Sequence, residues 1–359
     1  MKSDALLIFC GGLLYGYDVG IISGAIDSIP YAINRQQKEH LVSIVLIGQL
    51  LSSLLIGKIS KYFNSFQIIP VALASYSACL IGFLSADNMV CGLFFRTVLG
   101  FFISLNMIKT TSFIAETVSD DSRGFYLSLN EAGVTFGILA SFVTSAVFGS
   151  NWKILFLFML PVSFVAMSAL FFKFKNHEAK SKKYSAINFN LRNDTSKIRS
   201  KNPPKYASKS TAHPTPFPKY EFTMCMFLVV ATQASGQPTF LYYAKSAFPD
   251  NSTIITFGVV KFLSTLFCSG LVDKLGRKTM LTTGCLVMTA SLFCIGSFSD
   301  RFWSSFLMQF SFGAYAFGFS ISFGACLFIV LNELFEDFWR QRLIGYSIAR
   351  VNNTFSVIN

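Results

Sequence analysis

The sequence predicts an all-α membrane protein built from two helical bundles joined by a polar linker. Three observations carry this reading. Apolar runs of about 20 residues, long enough to cross a bilayer core as helices, recur along the 359 residues. A stretch rich in Lys, Ser, Asn and Pro, residues 175–219, interrupts them once. Features ahead of this stretch return beyond it, offset by about 210–220 residues.

Complete spans are expected near residues 5–27, 41–60, 67–86, 90–113, 125–149, 153–173, 221–245, 253–272, 279–298 and 303–331, which makes ten, with part of an eleventh from Leu343. Composition agrees: 52% of residues are hydrophobic, 13% are charged and 41 are phenylalanine, more apolar surface than a soluble domain can hide. The first run is too long and too polar for a signal peptide and is followed by further spans, so it stays in the protein. Residues 1–174 then form a six-helix half, 175–219 a cytoplasmic linker, and 220–359 a second half whose helices are incomplete. Echoes between the halves mark a duplication. "AETVSDDSRG" sets Glu116 and Arg123 seven apart, and "NELFEDFWRQ" does the same with Glu333 and Arg340. Parallel repeats of this kind place a substrate site near the midplane between halves.

Charge orients the chain. The formal net charge is +12, and a nucleic-acid partner is one reading of that number. Its location argues for another. Of 30 Lys and Arg, 20 fall in the connections 2–3, 4–5, 6–7, 8–9 and 10–11, and five (Arg35, Lys38, Lys153, Lys245, Arg301) at the opposite ends of the spans. This asymmetry puts the amino terminus and the linker in the cytoplasm, with a lipid bilayer as partner and no nucleic acid. The eight cysteines are scattered without a Cys-x-x-Cys pair, and the three histidines do not cluster, so no metal site is expected. No phosphate-binding Gly-x4-Gly-Lys-Ser/Thr loop occurs, and no cofactor is expected.

Polar residues inside the spans are the candidate functional groups, because an intramembrane charge costs roughly 2.5–3.5 kcal/mol at a helix centre on insertion scales. Asp18 lies mid-span in the first helix and Arg96 early in the fourth, at comparable depth. They make either a proton-gated latch or a static ion pair. Glu131 in span 5 and Lys261 in span 8 face the central space from opposite halves, and Gln233 and Gln237 in span 7 offer donors and acceptors suited to hydroxyl-rich ligands. The bland alternative for these is interhelical glue. Lys109, seven residues before Glu116, is expected to snorkel to the cytoplasmic end. Asp273, Arg277, Glu333 and Arg340 sit at cytoplasmic helix ends, where they pair in one conformation or simply face solvent.

Taken in order, "GGLLYGYDVGIISGA", "FFRTVLGFFIS", "FIAETVSDDSRG", "SLNEAGVTFGIL", "ATQASGQPTFLYYA", "GLVDKLGRK" and "LNELF" resemble the sugar porter family of the major facilitator superfamily. "SLNE", "GQPTFLYYA" and "GVVKFLST" are most similar to the class III facilitative glucose transporters, the group that includes a proton–myo-inositol symporter. The resemblance implies two six-helix halves and transport of a hexose or polyol by alternating access, proton-coupled or facilitative, in the plasma membrane or an internal one. It implies proton coupling through Asp18 and Arg96. It implies substrate contacts at Tyr15, Glu131, Gln233, Gln237, Lys261 and Phe328, and an outer gate at Tyr242 and Tyr243. It implies conformational gating by Glu116, Arg123, Asp273, Arg277, Glu333 and Arg340.

Several positions depart from the family pattern. The first-half cytoplasmic motif reads Lys61, Tyr62, Phe63, Asn64, Ser65, Phe66 and has lost its charged string, while the second-half copy keeps Asp273 and Arg277. In span 10 only Gly324-Ala325 remain of a Gly-Pro-x-x-Trp pattern, whereas Pro238 in span 7, standing where the wider family has asparagine, is with Gln237 the class III form. These departures favour a second reading, a non-transporting sugar sensor or decayed relative. An enzyme is not expected, since no nucleophile–base or metal cluster is present in the sequence.

Overall fold

The computed structural model describes residues 2–117, 120–149, 151–170, 219–247, 251–297 and 305–324, with isolated helical positions at 327 and 330. Among the described residues there is no strand. The first half runs α1 (Lys2–Ala25), α2 (Arg35–Tyr62), α3 (Ser65–Leu84), α4 (Met89–Thr117) and α5 (Asp120–Phe148). The span Trp152–Leu170 follows; it opens with α6 (Trp152–Leu157) and turns at Phe158 before resuming. The second half holds α7 (Lys219–Ala234), α8 (Gln237–Tyr242), α9 (Ala244–Ala247), α10 (Asn251–Leu275), α11 (Arg277–Ser297) and α12 (Ser305–Phe319).

Eight helices among the described residues have the length and hydropathy to cross a membrane. Their burial is unequal, and the inequality locates the core. The first span is 72% buried over its most apolar window, while Arg277–Ser297 is 22% buried. α1 is therefore an interior helix and α11 a peripheral one. Large side chains such as Phe227, Leu286, Phe293 and Phe310 point outward in numbers a water-exposed surface does not carry, and they suit a lipid-facing exterior.

Small residues let the interior helices approach. In α1, Gly12, Gly16, Gly20 and Gly24 recur every four residues and lie along α5. A Cβ added at Gly16 would overlap the carbonyl oxygen of Val134, and one at Gly20 would overlap Ser141 Oγ. From α5, Gly133 and Gly137 return the same contact against the backbone of α1. In a bilayer, where apolar burial gives little drive between helices, close backbone packing of this kind is a main source of association. α2 packs parallel to α4 through Gly48 and Gly100 by the same device.

The connections use caps. Gln37 accepts from the backbone N–H of Asn34 at 3.1 Å at the start of α2, and Gln67 does so from Asn64 at 3.2 Å at the start of α3. The turn that lost its charged string is thus closed by an uncharged cap. In the second half, the reverse between α10 and α11 is made by Gly276 at φ +80°, a conformation that favours glycine.

Three expectations are corrected. Span 7, expected as one helix over 221–245, is broken: α7 stops at Ala234, Gly236 adopts φ +80°, and α8 begins at Gln237. Pro238 explains it, since it has no N–H to give the carbonyl of Ala234 four residues back. At the same break the carbonyl of Ser235 accepts from the Tyr315 hydroxyl at 2.9 Å, a side-chain partner of the kind that keeps a broken helix satisfied inside a membrane. Span 10 does not continue as an α-helix either; α12 widens at Phe319 into a π-helical turn, Ser320–Gly324. Lys109 does not snorkel. Its side chain is buried at 2% exposure, because α4 is enclosed by α1, α2, α3 and α5 at that level. The eleventh helix, most of the linker and residues Phe328, Glu333 and Arg340 lie outside the described residues.

Candidate functional site

The break in span 7 and the π turn after α12 both open onto one cavity of about 210 Å³ between the halves. Helices of both halves line it. Tyr15 and Val19 come from α1, Gln49 from α2, Ser104 to Thr111 from α4, and Glu131, Val134 and Ile138 from α5. From the second half come Thr232 and Gln233, Gln237, Leu241 and Tyr242, Lys261, and Phe319, Phe323 and Gly324. Of the residues the sequence proposed as substrate contacts, Tyr15, Glu131, Gln233, Gln237, Tyr242 and Lys261 meet here. Tyr243 does not line the cavity; it packs against the first-half core beside Tyr242. Unwound backbone next to paired polar side chains, in an otherwise apolar chamber, is the arrangement that can take a small polyhydroxy molecule out of water.

Asp18 sits one helical turn beyond Tyr15, on the side of α1 that meets α4. Arg96 Nη1 donates to Asp18 Oδ1 at 3.0 Å, with the two side chains 0% and 3% exposed. The guanidinium carbon lies 5.7 Å from the Phe83 ring centre and 5.5 Å from that of Phe156, two rings that pack on each other at 5.1 Å, so an aromatic pair lines one side of the cation. Its Nε and Nη2 have no hydrogen-bond partner. The ion pair foreseen from depth along the helices forms, and the aromatic pair beside it was not foreseen.

The sequence reading also missed Gln49. A lone glutamine in an apolar span gives no periodic signal, yet its side chain is 3% exposed, lines the cavity and leaves Nε2 unpartnered. Gln237 Nε2, from the opposite half, is likewise buried without a partner. Two orphan amide donors facing one chamber suit acceptor oxygens on a ligand. If the chamber takes the polyhydroxy ligand that the resemblance implies, replacing Gln49 by Ala is expected to weaken its binding by about 0.5–1.5 kcal/mol, the net worth of a hydrogen bond, in a protein that still folds. Isothermal titration with D-glucose checks it, and unchanged affinity would return Gln49 to packing. Phe328, the aromatic contact expected from the sequence, lies outside the described residues; Phe319 and Phe323 supply aromatic rings to the cavity wall. Glu116 lies near the end of α4, Arg123 near the start of α5, Asp273 near the end of α10, and Arg277 opens α11.

Two helical halves enclosing a mostly apolar chamber with a few polar side chains, and a discontinuous helix at its wall, have the architecture of the major facilitator fold. The family model "Sugar (and other) transporter" matches residues 5–359, and the chain belongs to that family, as a sugar porter of the major facilitator superfamily. It is 32% identical over 312 residues to the "Solute carrier family 2, facilitated glucose transporter member 10" of Xenopus tropicalis, covering 81% of this chain and 56% of that protein. It is 32% identical over 321 residues to the human "Solute carrier family 2, facilitated glucose transporter member 12", covering 79% and 51%. The chain thus spans about half the length of the curated relatives it matches. Among solved structures, the proton:xylose symporter XylE bound to 6-bromo-6-deoxy-D-glucose superposes with a TM-score of 0.76 at 19% identity, over 100% of this chain and 88% of that one. A partially occluded, inward-open form of XylE from E. coli gives a TM-score of 0.73 at 18% identity, over 100% and 92%.

Proposed function

We propose that this chain carries a hexose or polyol across a membrane by alternating access, coupled to protons through Asp18. One observation carries the reading: an apolar chamber between the halves, walled by a broken helix, into whose lining the polar residues Gln49, Glu131, Gln233, Gln237 and Lys261 are gathered. The relatives' names, facilitated glucose transporters, and the sugar analogue held by the structural neighbour support the substrate class. Tyr242 and Tyr243, packed from the second half onto the first-half core, act as the outer gate. Glu116, Arg123, Asp273, Arg277, Glu333 and Arg340 act at the cytoplasmic ends as pairs that form in one conformation.

The ion pair is the proton-coupling element. Ionised, Asp18 holds Arg96 and ties α1 to α4. Protonated, it loses most of that attraction and α1 is freer to move. Asp18→Asn mimics the protonated form. In sealed vesicles with an imposed pH gradient, the variant is expected to bind sugar but to lose accumulation against a gradient. Accumulation equal to the parent's would reduce the pair to a structural tie. Equilibration by the parent without response to the gradient would make the protein a facilitator.

The membrane is the plasma membrane, and the amino terminus and the linker face the cytoplasm. Asn251, exposed at the start of α10 in "PDNST", then lies outside and is expected to accept a glycan, whereas Asn193 in "RNDTS" is not. Glycosylation mapping that modifies Asn193 instead reverses the orientation. The uncharged cap of the 2–3 turn favours the second reading, a sensor that binds sugar without moving it. Vesicle uptake by the expressed chain separates the two.

A further inference from the structure

α5 and α10 belong to opposite halves and pack directly on one another. The Phe136 and Phe262 rings meet at 5.3 Å, and Gly258 lies against Leu139 and Phe142. This joint carries two side chains of opposite sign on its cavity face, Glu131 and Lys261. Among the described residues they form no direct ion pair, and Lys261 Nζ instead rests 4.6 Å from the centre of the Phe319 ring. Glu131 reaches the other end of the same π turn, where a Cβ built on Gly324 would lie 3.8 Å from its Oε1. Ser320 Oγ donates to the backbone carbonyl of Lys261 at 3.4 Å. The two charged ends thus meet neighbouring parts of one segment, Lys261 at Phe319 and Glu131 near Gly324.

We propose that Glu131 and Lys261 form an electrostatic tie between the halves, drawn together when the cavity closes and bridged there by neighbouring hydroxyls of the ligand. The bridging step rests on the sugar-transport reading; the tie itself does not. Opposite charges in a poorly screened chamber attract over distances at which surface charges would not. A hydroxyl that donates to the carboxylate and a neighbouring one that accepts from the ammonium satisfy both ends at once. A ligand with one hydroxyl cannot bridge them. The element differs from the Asp18–Arg96 pair, whose members both belong to the first half.

A double-mutant cycle on the purified full chain tests this, using E131Q, K261Q and E131Q/K261Q. Each single variant strands one charge; the double variant strands none. Without ligand, each single is expected to lower the melting temperature, and the double to recover most of the loss. With D-glucose as probe, each single is expected to weaken binding roughly 10- to 100-fold, and the double by far less than the product of the two. Losses that simply add in both measurements, or singles that melt and bind as the parent does, overturn the proposal while leaving sugar transport standing. A ligand-free coupling in a parent that binds no glucose leaves the tie intact and sinks the sugar reading instead.

Discussion

Gly16→Leu is expected to yield no monodisperse folded protein, and Gly16→Ala to lose about 1–3 kcal/mol of stability, the usual cost of overfilling a packed contact. Alanine is the better helix former by about 1 kcal/mol, so propensity alone predicts the opposite sign. Geometry decides against propensity here. The added Cβ would overlap the Val134 carbonyl, a backbone atom that cannot rotate away, so α1 and α5 must separate along a contact repeated at Gly12, Gly20 and Gly24. Gly296 in α11 is the control. A Cβ there meets nothing within 4 Å, so Gly296→Ala is expected to be neutral or mildly stabilising. Thermal unfolding in detergent, read beside size-exclusion profiles, separates the two sites. Equal behaviour at both would mean the glycine stripe does not set the α1–α5 distance.

Arg96→Leu is expected to cost about 3–5 kcal/mol, the range found when one partner of a buried pair is removed. It leaves Asp18 at 3% exposure with no cation, and it removes the guanidinium that rests on the Phe83–Phe156 pair. Asp18→Asn/Arg96→Leu removes both charges and is expected to recover much of that loss, since no ion is then stranded. The comparison is a melting temperature on each purified variant. If the double variant recovers nothing over Arg96→Leu alone, the loss comes from the contact with Phe83 and Phe156 rather than from a stranded charge.

The spans of the first half were legible because hydropathy and length suffice to mark them, and their bounds differ from expectation by only a few residues, as at Ser65–Leu84 against 67–86. The Asp18–Arg96 pair was legible because charges in an apolar run are rare and their depth follows from helical rise. The break in span 7 was not, although "SGQP" holds its signal: hydropathy runs straight through the stretch and hides a proline's missing donor. Lys109 was misread for a related reason. Distance from a helix end predicts snorkelling only for a helix that meets lipid or water, and α4 is enclosed there by its neighbours. Gln49 shows a third limit. A single amide has no pattern, and only the chamber it faces gives it meaning. The glycine stripe was present as a four-residue spacing, but what it meets, the backbone of α5, became visible only in three dimensions.

The depth at which α1 is buried bears on how the chain is made. Its backbone leaves the ribosome before that of α4 and α5, and its carboxylate finds its cation 78 residues later along the chain. At ordinary synthesis rates of about 5–20 residues per second, that is a delay on the order of 4–16 seconds. The helix that its glycines fit, α5, emerges later still. During that interval α1 offers lipid a charged residue that lipid cannot satisfy and a glycine stripe with no helix to pack on. The most buried helix of the first half therefore completes its packing only once α4 and α5 have been made.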